Sequence, residues 1–124
     1  MSIKSLPISE TQIQSTFLEW LAWNYAEVRS VTFAIPNGGR RTWTAGKKLK
    51  SEGMTAGIPD VLICVARHGY NGFFIEFKSL KGRLSIQQQK LIELLKNQNY
   101  KVEVCYSIES ATKMVTDYLQ EPKE

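Results

Sequence analysis

FFIEFKSLKGRLSIQQQKLIELLKNQNYKVEVCY, residues 73–106, holds the pattern most diagnostic of the architecture. Phe73 to Ser79 is β-rich and apolar, and the spacing predicts a strand. Ser85 and Gln88 have the capping-box spacing, and Leu91, Ile92 and Leu95 share one helical face, which predicts a helix to about Asn97. Lys101 to Tyr106 reads as a second strand. A strand, a helix and a strand of this length form a right-handed crossover, so the two strands are expected to be parallel neighbours in one sheet.

Working outward, Asp60 to Ala66 predicts another strand, joined through Arg67 to Gly72 and paired antiparallel with the first. Val31 to Ile35 predicts a further strand that stops at Pro36-Asn37-Gly38-Gly39. Thr44 to Glu52 predicts a short basic helix, closed by Gly53. At the front, Ser9 and Gln12 form a second capping-box spacing, and Ile13, Phe17, Leu18, Leu21, Tyr25 and Val28 predict one amphipathic helix from Ser9 to Val28. At the end, Ser107 starts a helix whose inner face carries Ile108, Ala111, Val115, Tyr118 and Leu119. The expected class is α/β, a mixed four-stranded sheet flanked by helices in the order α-β-β-β-α-β-α.

The chain has 124 residues, 43% of them hydrophobic and 23% charged, which is enough for one cored domain, expected over 9–119 with short tails at 1–8 and 120–124. Its longest apolar run is the six residues Val61 to Ala66, against the roughly 18 that span a bilayer. The start lacks the apolar stretch of a signal peptide, so the expected location is cytoplasmic. Cys64 and Cys105 lie in β-type segments and are expected to be buried free thiols. His68, the one histidine, is expected in a solvated loop, which excludes a multi-His zinc site.

Lys and Arg number 16 against 12 Asp and Glu, a formal charge of +4. Arg40, Arg41, Lys47, Lys48 and Lys50 bring five cations and no acid into eleven residues, so a polyanion is the first partner to consider, with Trp43 available for stacking on a base. The same density also suits a solvated helix face.

Glu76 and Lys78 project from one face of their strand because strand side chains alternate. Asp60 opens the partner strand, where the right register brings its carboxylate to Glu76. Two hard carboxylates and an ammonium so placed suit Mg²⁺-assisted phosphodiester hydrolysis, while the same pattern also fits a solvent-facing pair on an edge strand beside a turn residue. Glu10 shares the inward stripe of the first helix, as a further metal carboxylate or as a first-turn acid that complements the helix dipole. Gln88 shares the stripe of Leu91 and Leu95, as a buried hydrogen-bonding amide or as the reciprocal cap of Ser85.

Gly57-Ile58-Pro59-Asp60, Glu76-Phe77-Lys78 and Gly82-Arg83-Leu84-Ser85 with Gln88, preceded by Glu10 and Asn37-Gly38-Gly39, resemble the VRR-NUC (virus-type replication-repair nuclease) domain of the PD-(D/E)XK superfamily. The resemblance runs from about Ser9 to Leu119. It implies a restriction-endonuclease-like fold and a metal-dependent DNA endonuclease. It implies Asp60, Glu76 and the main-chain carbonyl of Phe77 as ligands of Mg²⁺ (or Mn²⁺), Glu10 as an accessory acid near the metal, Lys78 as the catalytic lysine, and Gln88 as an orienting residue with Gln87 and Gln89 beside it. Stand-alone members of the family dimerise and are associated with branched DNA such as four-way junctions, so a homodimer resembling a junction resolvase is expected. Trp20 and Trp23 flank the inward stripe as aromatic surface for such an interface or as ordinary packing. The competing reading is a non-catalytic nucleic-acid-binding module built on the basic 40–50 segment.

Overall fold

A computed structural model describes residues 8–36 and 51–121. The elements are α1 (Glu10–Asn24), α2 (Ala26–Arg29), β1 (Thr32–Ala34), β2 (Val61–Ile63), β3 (Phe73–Phe77), α3 (Ile86–Asn97), β4 (Lys101–Cys105) and α4 (Ile108–Leu119). The sheet order is β1-β2-β3-β4, with the first three strands antiparallel and β3 parallel to β4, as the crossover requires. The expected α/β architecture with an open mixed sheet is therefore the observed one. The predicted basic helix from Thr44 lies, except for its last two residues, outside the described residues, as do Asn37-Gly38-Gly39 and the whole cation cluster.

Both predicted capping boxes close. The Gln12 N–H donates to Ser9 Oγ at 3.1 Å while the Ser9 N–H donates to Gln12 Oε1 at 2.9 Å, and Ser85 with Gln88 repeats the pair at the same distances. The first helix is shorter than its apolar stripe suggests. At Tyr25 the backbone leaves the helical region (φ −142°, ψ 68°), and Asn24 Nδ2 donates to the Trp20 carbonyl at 2.9 Å. The separate turn α2 then returns Tyr25 and Val28 to the core, a placement that a straight continuation does not provide.

Each side of the sheet has its own apolar layer. Phe73, Ile75 and Phe77 of β3, with Val61 and Ile63 of β2, pack against Ile13, Phe17 and Leu21 of α1 and Ala111, Val115 and Tyr118 of α4. On the opposite side Phe74, Val102 and Ile92 gather Leu62, Leu84, Leu95, Tyr100 and Val104 under α3. All five residues of β3 are buried, the mark of a strand covered on both faces. Each buried Phe there contributes on the order of 1.5–3 kcal/mol of burial free energy.

β2 keeps only three of the seven residues expected of it, because β1 offers three partners. The ladder ends at Ile63, and Cys64, on the side of the chain opposite that core residue, is exposed, so the expectation of two buried thiols holds only for Cys105. The hairpin then turns through His68 (φ 52°) and Gly69 (φ 84°), consecutive left-handed residues that match the twist of the flanking strands. His68 is on the surface as expected, with Nε2 2.9 Å from the Tyr118 carbonyl oxygen.

Candidate active site

The C-terminal end of β3 meets the first turns of α1 and α3, and an open cleft of about 850 Å³ lies among them. Asp60 precedes β2, and the Val61↔Ile75 register sets it opposite Glu76. Alternation turns both carboxylates toward the α3 side, the side of Leu62 and Phe74. Asp60 is held from three directions. Its carbonyl accepts the Ile35 N–H at 2.8 Å, its Oδ2 accepts the Phe77 N–H at 2.8 Å, and Pro59 before it is buried. Gly57 makes this approach possible. At φ +87° it lies so close to α3 that an added Cβ would sit 2.9 Å from the main-chain carbon of Gln87, so the loop carrying Asp60 rests on the helix carrying Gln88.

Glu76 is 2% exposed, which rules out the solvent-facing reading of the Glu76–Lys78 pair. Its Oε2 accepts Gln88 Nε2 at 3.3 Å, while its Oε1 is buried with no hydrogen-bond partner among the described residues. Gln88 is half-buried rather than buried, and it is both the reciprocal cap of Ser85 and a hydrogen-bond donor to Glu76. Because its Oε1 is taken by the Ser85 N–H, the amide has only one orientation in which the cap survives, and that orientation aims the NH₂ at Glu76. Burial, and after it the negative charge of Asp60, push the Glu76 carboxyl up to about 8. Burial also raises Asp60, against the lowering effect of the Phe77 N–H.

Lys78 follows the end of β3, its N–H bonded to the Cys105 carbonyl at 2.9 Å. Its ammonium is 4.0 Å from Glu10 Oε1, with side-chain exposures of 14% and 47%. Glu10 thus stands at the rim of the cleft beside the lysine. Among the described residues no three His, Cys, Asp or Glu side chains converge as a metal-holding group, so the acids divide into a close pair, Asp60 with Glu76, and an outlying Glu10. The Phe77 side chain is in the core, its ring 5.6 Å from that of Phe17, so what it presents to the cleft is main chain. The structure adds Thr11 and Gln14 to the cleft wall; the i, i+4 rule applied from Glu10 would have found Gln14, one helical turn on, but not the adjacent Thr11.

The model of the VRR-NUC domain family matches residues 2–109. The chain belongs to the VRR-NUC domain family. A solved structure titled "VRR_NUC domain protein" shares the fold at a TM-score of 0.79, with 23% identity over 92% of this chain and 90% of that one. No curated protein matches. A VRR-NUC domain is a nuclease of the PD-(D/E)XK type. No helix among the described residues is long and apolar enough to cross a membrane.

The VRR-NUC site has a pH signature that needs no substrate. An acid whose folded value is raised from 4.5 to about 8 takes up a proton on folding at intermediate pH. Its contribution to stability is full below the lower value and is lost as pH rises through the window. The metal-free protein is expected to melt at a lower temperature at pH 9 than at pH 5, and Glu76→Gln to flatten that dependence. An equal slope in both proteins would show that Glu76 is not so perturbed.

Proposed function

We propose that this chain is a Mg²⁺- or Mn²⁺-dependent DNA endonuclease acting on branched DNA as a homodimer. One observation carries the catalytic part of this reading: a buried glutamate with an orphaned oxygen, set beside a second carboxylate in an open cleft. Ionising this buried pair is costly, which is why Glu76 holds its proton up to about 8, and a divalent cation relieves the cost.

The donor set fits such an ion. Asp60, Glu76 and the Phe77 main-chain carbonyl are hard oxygen donors, and the cleft leaves room for water and phosphate, as Mg²⁺ prefers. When bound, the ion polarises the phosphodiester and acidifies an attacking water. Gln88 holds the Glu76 carboxylate in orientation from the outer side. Lys78 contributes a positive charge at the cleft for a phosphate oxygen or for the attacking water, and Glu10, 4.0 Å away, keeps that ammonium at the rim. The N-termini of α1 and α3 add positive dipole ends to the same opening, which suits the anionic backbone.

Selection of branched DNA and pairing of two chains rest on the family resemblance and on the need for two active sites to cut a junction symmetrically. Trp23 supports the pairing: it is 89% exposed on α1, whereas Trp20 is packed between Phe17 and Tyr25. Light scattering at micromolar concentration is expected to give twice the 14.1 kDa chain mass, and a monomer mass would refute the pair. Labelled duplex, flap and four-way substrates, incubated with Mg²⁺, Mn²⁺ or EDTA, test the activity. Cleavage of the branched forms with either metal and none in EDTA is expected. Binding without cleavage in every metal would favour the non-catalytic module.

A further inference from the structure

Immediately after Lys78 the chain makes a tight turn, closed by the Gly82 N–H donating to the Ser79 carbonyl at 2.8 Å. Leu80 and Lys81 occupy its tip. Leu80 is 86% exposed, an unusual place for a leucine one turn from an active site. The turn is tied to the catalytic strand: a Cβ on Gly82 would lie 3.2 Å from both Lys78 Cδ and the Ser79 carbonyl oxygen, so the turn backbone rests on the stem of Lys78. The sequence around the turn carries charge of one sign. Residues 78–92 carry Lys78, Lys81, Arg83 and Lys90 and no acid, and Lys81, Arg83 and Lys90 form no ion pair among the described residues. Ile86, at the start of α3, is a second exposed apolar side chain next to this turn, at 70%.

Resting on the endonuclease reading, we infer that the Ser79–Gly82 turn is a DNA-reading wedge: Lys81 and Arg83 hold backbone phosphates while Leu80 presses against the face of an unstacked base at a branch point. The physics favours this occupant. A lone apolar tip between cations gains little in water, but against a branch-point base, whose stacking is already weakened, it completes the unstacking at small cost and buries area on both sides. In a continuous duplex the same insertion must first pay unstacking, on the order of a few kcal/mol per step. The turn therefore discriminates branched from linear DNA, and its anchoring on Lys78 sets the distance between the wedge and the cleavage site.

A four-way junction with 2-aminopurine beside the branch point tests the wedge, using the full chain in Ca²⁺ so that fluorescence is read without cleavage. At saturating protein the wild type is expected to raise 2-aminopurine fluorescence, and Leu80→Ala to lose most of that rise, about fivefold or more. Leu80→Phe is expected to retain it. Because Leu80 buries almost nothing in the fold, its truncation leaves the melting temperature in place. No rise with the wild type, or an equal rise with Leu80→Ala, would overturn the wedge. Replacing Lys81 and Arg83 by Ala should reduce the slope of log affinity against log salt by about 0.9 for each phosphate released. An unchanged slope would overturn the phosphate contacts. Should the wild type cleave no DNA in Mg²⁺ or Mn²⁺, the endonuclease reading fails by itself, since the fluorescence and salt measurements are made without catalysis.

Discussion

Glu76→Gln and Asp60→Asn are each expected to lower single-turnover cleavage by at least ~10³-fold, about 4 kcal/mol of transition-state stabilisation. Each change removes one negative charge from the proposed metal shell and leaves side-chain volume nearly constant, so packing around Phe74 and Leu62 is preserved. The two variants should differ in stability. Gln at 76 relieves the buried carboxylate that lacks a partner for Oε1, so metal-free Glu76→Gln should melt higher than the wild type near pH 8. Asn at 60 loses part of the acceptor for the Phe77 N–H and should not gain in the same way. Calorimetric titration with Mg²⁺ or Mn²⁺ should show weakened binding in both. Full cleavage by either purified variant would remove the carboxylate pair from the mechanism.

Lys78→Ala is expected to lower turnover by roughly 10²–10⁴-fold while keeping metal affinity, because the ammonium acts on phosphate and water rather than on the ion. The separation of effects is the informative part. A positive charge beside Asp60 and Glu76 lowers both carboxyls, so removing it strengthens the negative field of the pair, and divalent-ion binding should hold or tighten. Loss of Mg²⁺ affinity in Lys78→Ala with single-turnover chemistry still fast would reverse the assignment. The side chain is 14% exposed and its stem lies under Gly82, so a melting curve must accompany the kinetics.

The five-cation cluster at Arg40, Arg41, Lys47, Lys48 and Lys50 remains a proposed DNA contact outside the described residues. Together with Lys81 and Arg83 it would set the salt dependence of binding, since each phosphate neutralised releases condensed counterions.

The features legible in the chain's residue pattern are those of short range. The capping boxes at Ser9 and Ser85 join residues three apart, and such pairs close wherever a helix starts. The crossover from β3 to β4 follows from the handedness of the chain, and alternation along Phe73 to Lys78 already puts Glu76 on one face with Phe74. The family motifs could be read for the same reason, as short runs of consecutive residues.

Features that depend on a distant partner came from packing. β2 is short because β1 is short, and Cys64 is exposed because the ladder stops one residue earlier. Helix α1 ends at Asn24, and Tyr25 and Val28 reach the core through the break that follows; periodicity marked both as inward but did not reveal the break. Whether Glu76 is a solvated edge residue or a buried carboxylate turned on α3 covering its face, and Gln88 proved to be both cap and partner because α3 starts directly over the end of β3. Asp60 and the Phe77 N–H meet across 17 positions only in one register, and a slip of one residue would turn the carboxylate to the other face of the sheet. Local pattern specifies which side chains share a face; only the packing of one element on another specifies which of those faces is dry, charged and open to a substrate.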